Sequence, residues 1–259
     1  MNYTLFSLLF VIGLFSGMLI LLEVGRRIGV QRIARDPDGA RVGAGAVEGA
    51  VFGLLGLLVA FTFSGAVMRF DARRQLIIEE ANSIGTAYLR VDLLPASVQP
   101  AARDLFRKYL DSRLTTYRHW QDVAGAREEL GRSTKLQGEI WRQAVTASRS
   151  PDAHPDAAKL LLPALNEMID ITTTRTMATQ VHPPQIIFVM LFGLALASSL
   201  LAGYGMAGGK KRSWVHMFGF ALATAAAVYV ILDIEYPRLG LIRVDAFDRV
   251  LVELLESMK

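Results

Sequence analysis

One stretch limits this chain more than any other. From Gly43 the sequence reads GAGAVEGAVFGLLGLLVAFTFSGAVMRFDARRQ and runs on to Leu94 without a proline. Its first half is apolar and rich in glycine; its second half is charged and amphipathic. No backbone break is encoded, so the stretch predicts one long helix that crosses a membrane and continues into water. The rest of the chain is then the set of parts that packs around it.

Three further apolar runs agree. Residues 3–22 are twenty residues without a charge, and a bilayer core of ~30 Å needs about 20 apolar residues in a helix. The second span is expected at Val47–Met68, inside the long stretch. A third covers 185–207 after Pro183-Pro184, and a fourth covers Trp214–Leu232. Hydrophobic residues make up 52% of the chain, more than an ordinary soluble domain holds. The segment Gly25–Arg41 holds five arginines and the Asp36-Pro37-Asp38-Gly39 turn, and is expected as a loop.

Between spans two and three, apolar positions recur at three and four rather than two. Leu76, Ile77, Ala81, Ile84 and Tyr88 form one such set; Leu160, Leu161, Leu165, Met168 and Ile169 form another. Breaks are expected at Pro95/Pro100, Ala124-Gly125 and Pro151/Pro155. The fold class expected is an all-α membrane protein. Four transmembrane helices join an extramembrane bundle of three or four antiparallel helices, two of which extend membrane spans, completed by the C-terminal tail. The expected domains are 1–68 (spans one and two), 69–182 (the helical domain), 183–233 (spans three and four) and 234–259. The last holds a Pro237/Gly240 turn and an amphipathic helix from Asp245.

Several function classes are disfavoured. The net charge is +4 and the signs are interleaved, so no nucleic-acid partner is expected. There is no cysteine, and the four histidines are scattered, so no metal and no cofactor is expected. Nothing resembles a nucleotide loop or a nucleophile elbow, and an enzyme is not expected. Positive charge in the two short loops would place them in the cytoplasm and the helical domain outside.

Gly45, Gly49 and Gly53, with Gly56 beside them, lie on one helical face that lets another helix approach closely. That helix could belong to the same chain or to a second copy. Leu54, Leu57 and Phe61 follow at helical spacing; on a symmetry axis such residues form an apolar constriction, and in a monomer they are core or lipid-facing. Glu48 opens the span as an ionisable group or a solvated helix-end carboxylate. His182 could sense pH or cap a helix entry. Asn82, Gly85 and Tyr88 suggest close helix packing, and Asn166, Asp170 and Arg175 a buried polar network. Tyr204 and Trp214 flank the Lys/Arg loop as an aromatic belt would.

From Ala60-Phe61 onward the chain resembles the bestrophin family of ion channels. The motif is a small residue and Phe, Arg eight residues after the Phe, an aromatic, and a second basic residue: Ala60, Phe61, Arg69, Phe70 and Arg74 here. The turn after the fourth span, Ile234-Glu235-Tyr236-Pro237-Arg238-Leu239-Gly240, is similar to the family's. Residues 80–95 and the PRLGLIRVD segment are similar to bacterial membrane proteins described as bestrophin-like. The chain departs from the family in several ways. Asp71 replaces the second aromatic, the polar run after Phe61 is reduced to Thr62 and Ser64, and the calcium-binding acidic tail cluster and the basic N-terminal segment are missing. Bestrophins also keep the helical domain cytoplasmic, opposite to the loop count, so orientation stays open.

The resemblance implies a pentamer in a bacterial inner membrane, with a pore lined by the second helices and passing an ion. Phe61 matches a neck aromatic, with Leu57 and Gly53 one and two turns before it. Gly53 departs from a bulky residue, so the neck is expected wider or shifted to Leu54. Arg69, Arg73 and Arg74 at the pore exit would either favour anions or pair with carboxylates, with Asp71, Glu79 and Glu235 as candidate partners. The alternative function is a non-conducting membrane scaffold or sensor whose helical domain binds a partner.

Overall fold

The computed structural model describes residues 3–36, 44–118, 123–209 and 213–258. The regular elements are helical, and no strand occurs among the described residues. The helices are α1 (Tyr3–Arg35), α2 (Ala44–Leu89), α3 (Gln99–Arg118), α4 (Val123–Ala147), α5 (Ala157–Ala178), α6 (Gln185–Gly205), α7 (Trp214–Glu235) and α8 (Arg249–Ser257). Short 3-10 segments follow α2 at Arg90–Leu93 and α6 at Met206–Gly208, and another leads into α8 at Asp245–Asp248. Four helices are long and apolar enough to cross a membrane: α1, α2, α6 and α7. A backbone in hydrocarbon must satisfy its polar groups internally, which is why these apolar runs are helical.

The chain divides into two compact units. One comprises the residues up to Phe70 together with His182–Ile242; the other comprises Asp71–Val181 and the chain from Arg243 onward. The segment after α7 is therefore shared: its turn belongs to the first unit and α8 to the second.

In the first unit, Leu14, Met18 and Leu22 of α1 pack with Leu55 and Ala66 of α2, Leu191 and Ala195 of α6, and Met217, Ala221, Val228 and Ile231 of α7. The segment expected as an arginine-rich loop is instead helical as far as Arg35. Nothing before Asp36-Pro37 breaks it, and Glu23 pairs with Arg26 (3.0 Å) and Arg27 (2.8 Å) one turn on. Gly25 and Gly29 do not interrupt the helix either; they are where α1 meets α6. A Cβ on Gly25 would land on the Leu200 carbonyl, and one on Gly203 of α6 would land on the Leu22 carbonyl. These are the small residues that bring helix backbones together in this chain.

α7 ends where Pro237 approaches. Buried Asp233 then accepts hydrogen bonds from the amides of Leu241 (2.9 Å) and Ile242 (2.6 Å), folding the chain back on the helix end. Gly240 is needed in this turn, because a Cβ there would strike the Asp233 carboxylate.

In the second unit, Ile77, Ala81, Ile84 and Ala87 of α2 are buried, as are Phe106, Tyr109 and Leu110 of α3. Ile140 and Ala144 of α4, Leu161, Leu165 and Met168 of α5, and Leu251 of α8 are buried as well. The break expected at Pro95/Pro100 lies between Leu93 and Gln99, and Pro100 itself sits in the first turn of α3, where the missing N–H has no helical partner to lose. Two expectations need correction. Ala124-Gly125 lie inside the first turn of α4 rather than in a break. And α2 alone extends a span, because α5 stops at Ala178 and α6 starts afresh at Gln185. Pro183 and Pro184 donate no backbone bond, and His182, preceding a proline, is pushed out of the helical region.

Candidate functional site

Within the first unit α2 has two unlike faces. Leu55 (6% exposed), Thr62 (6%) and Ala66 (0%) point into the bundle, and the Thr62 hydroxyl donates to the Leu58 carbonyl at 2.6 Å. The opposite face carries Leu54 (48%), Leu57 (52%), Phe61 (68%) and Met68 (70%), all exposed. The four glycines are exposed as well. A Cβ built on Gly45, Gly49, Gly53 or Gly56 would meet nothing within 4 Å. So among the described residues no helix packs closely on the four glycines. That role falls to Gly25, Gly29 and Gly203, whose spacing carries the same signal but which sequence reading passed over as loop and span filler. Glu48 turns inward: its carboxylate lies over Gly205 of α6, where a Cβ would sit 2.9 Å from Oε2.

Two turns beyond Phe61, the Arg69 guanidinium grips Glu235 at the end of α7. Its Nε lies 3.0 Å and its Nη2 2.7 Å from Oε2. Glu235 is fully buried and also meets His182 Nδ1 at 2.9 Å. The His182 ring in turn stacks on Tyr236, with centroids 4.6 Å apart. Of the three carboxylates considered for Arg69, the structure uses Glu235.

The other expected exit charges lie in the second unit and are engaged there. Arg73 is buried and donates to the carbonyls of Ala178 (3.1 Å) and Val181 (2.9 Å). Arg74 pairs with Asp71 at 2.9 Å and lies over the Phe247 ring at 4.1 Å. Glu79 is exposed. Gly85 faces Leu254 of α8, and the Tyr88 hydroxyl donates to the Met258 carbonyl at 3.3 Å, as the packing role predicts. Asn82, Asn166 and Asp170 are exposed, so of the residues suggested for a buried polar network only Arg175 joins one.

That network was not anticipated in its main member. Glu80, completely buried, accepts from Arg113 Nε at 2.6 Å, from the Tyr117 hydroxyl at 3.0 Å and from Arg175 Nη1. Arg175 reaches on to Asp248 at 2.9 Å and lies over the Tyr117 ring. Burial opposes the charge on Arg113, but Tyr117 and Glu80 outweigh it, leaving its pKa above the ordinary arginine value. Burial, and then the Glu80 carboxylate, push the Tyr117 phenol well up. Each of these charges sits on an apolar stripe: Arg113 among Phe106, Leu110 and Tyr117; Glu80 among Ile77, Ala81 and Ile84. A charge in register with buried apolar neighbours was the available signal.

These features define a class: an all-α membrane protein with four spans and a helical extramembrane unit. Residues 11–246 match the family model of the Bestrophin-like domain, and the chain belongs to that family. Its fold is similar to crystal structures of a bacterial bestrophin homologue from Klebsiella pneumoniae. One variant is 13% identical with a TM-score of 0.71, over 96% of this chain and 97% of that one. Two others are 12% and 14% identical with TM-scores of 0.70 and 0.69, covering 94% and 93% of this chain and 98% of each of theirs. At such identities the likeness shows the fold. Among curated proteins no sequence matches.

Proposed function

We propose that this chain is a bestrophin-type ion channel: a homo-oligomer, pentameric as the resemblance implies, in a bacterial inner membrane. Copies of α2 surround a central axis and line the pore. The observation that carries this reading is the uncovered face of α2, with Phe61 68% and Leu57 52% exposed and four glycines facing open space. Glycines give lipid little surface to cover but let a neighbouring helix come close. Leu57 and Phe61 form the neck, an apolar constriction able to stop ions by dewetting. Leu54 borders it, and Gly53 leaves the axis wider one turn before Leu57. Arg69, held by Glu235, anchors the end of the pore helix rather than meeting the ion.

The test is conduction by the purified protein in planar bilayers, with its oligomeric state and axial radius determined in parallel. Leu57→Ala and Phe61→Ala are expected to raise open probability or leak. A monomer, or an axis not lined by α2, refutes the channel. A sealed axis together with a specific co-purifying partner favours the scaffold or sensor instead.

A further inference from the structure

The Arg69–Glu235 tie has a third member whose charge is adjustable. His182 Nδ1 stands 2.9 Å from Glu235 Oε1, on the side chain that Arg69 already holds with two nitrogens. Glu235 is fully buried, while the His182 side chain keeps 28% of its surface exposed. His182 immediately precedes Pro183-Pro184, and Pro184 caps α6. With φ fixed at both prolines, the position of the histidine is passed on to the start of that helix.

We propose that His182 is a proton-dependent positioning residue, which tightens the tie between α2, the end of α7 and the entry to α6 when its ring becomes charged. A carboxylate accepts but cannot donate, so the nitrogen facing Glu235 carries a hydrogen in both charge states. The second proton, taken from solvent, goes to Nε2, and no covalent bond changes. The neutral hydrogen bond becomes charge-assisted, and such bonds are roughly twice as strong. The groups around the ring are Glu235 and Tyr236 from the end of α7 and, through the shared carboxylate, Arg69 from α2. Arg73 bonds the carbonyl of the preceding residue, Val181. The ring stacks on Tyr236, with centroids 4.6 Å apart, so its position is held from both sides. Histidine is the side-chain type whose charge change lies nearest neutrality, so pH is the variable that tests this tie.

Any effect on conduction rests on the channel reading; the tie itself does not. The experiment compares the full-length protein with His182→Gln, which can still donate but takes up no proton, by thermal unfolding in detergent micelles from pH 8 to pH 5. The expected result is that the wild type gains a few degrees over His182→Gln as pH falls, and that the gain disappears when Glu235→Gln is present in both. Parallel profiles, or a gap that widens toward alkaline pH, overturn the proposal. Should His182→Gln fail to fold, a 15N-histidine titration of the wild type decides. Nδ1 protonated throughout, with Nε2 titrating, supports the tie, and a bare Nδ1 refutes it. In bilayers the acid dependence of open probability should flatten in His182→Gln. If no variant conducts, the channel reading fails and the micelle profiles still decide the tie.

Discussion

Glu80 is the residue whose removal should cost the helical unit most. It is completely buried and serves two guanidinium groups, on α3 and α5, while the Arg113 side chain is 1% exposed. Glu80→Gln keeps the shape and removes the charge, so two buried cations lose their counter-charge together. Breaking a buried pair by removing one partner costs roughly 3–5 kcal/mol, because the other charge stays buried. Here Arg175 keeps Asp248, which limits the loss on its side, so a value of about 3–5 kcal/mol in total is expected. Arg113→Met differs in kind. It leaves Glu80 with Arg175 and Tyr117, removes a cation whose Nη1 has no hydrogen-bond partner among the described residues, and refills the space with an apolar chain. Its cost should be closer to that of one charged hydrogen bond, roughly 1.5–3 kcal/mol. The assay is equilibrium unfolding of the detergent-solubilised protein, followed by the loss of helical signal. The exposed Asp104–Lys108 pair serves as reference, and Asp104→Asn should be indistinguishable from wild type. The reasoning fails if Glu80→Gln costs no more than Arg113→Met, or if both fall with Asp104→Asn.

Other outcomes follow from the same structure. The Tyr117 phenol is raised above its ordinary value of 10.0, by burial first and then by Glu80, so the folded chain holds that proton more tightly than the unfolded one. Its contribution is complete below about pH 10 and is lost as pH climbs further. Tyr117→Phe should therefore show a shallower alkaline loss of stability in a pH series of melting curves. Gly203→Ala should unseat α1 from α6 and destabilise the protein by roughly 1–3 kcal/mol or more, as overpacking does. Gly53→Leu, at a position open in the single chain, should leave the protein folded and instead disrupt assembly, read by native mass spectrometry. Gly240→Ala should lower the melting temperature, because its Cβ would displace the Asp233 carboxylate from the Leu241 and Ile242 amides.

What could be read from the sequence divides along physical lines. The four spans were legible because uncharged runs of bilayer length have few other solutions. The continuity of α2 was legible because no proline interrupts it before Pro95. The Arg69–Glu235 partnership, 166 residues apart, was only one option among three, and it came through family resemblance rather than spacing. The extension of α1 was missed because arginines and glycines after Leu22 looked like loop. In fact Arg26 and Arg27 pair along the helix surface with Glu23, and Gly25 and Gly29 face α6. Glu80 was missed because its neighbour Glu79 is an ordinary exposed carboxylate, and composition cannot tell the two apart. Only the phase of Glu80 relative to Ile77 and Ile84 distinguishes it, and its partners lie on two other helices.

The meeting of α1 and α6 has a consequence for how this sequence can change over time. Gly25 faces backbone atoms of Leu200 and Tyr204, and Gly203 faces backbone atoms of Leu22. A side chain that obstructs its neighbour can be accommodated by a second mutation that trims the neighbour. A main-chain carbonyl cannot be trimmed. Neither glycine can be rescued by a substitution at the residue it touches. The two positions are expected to stay put while the lipid-facing residues beside them drift, and an engineer replacing this bundle's surface should leave both alone.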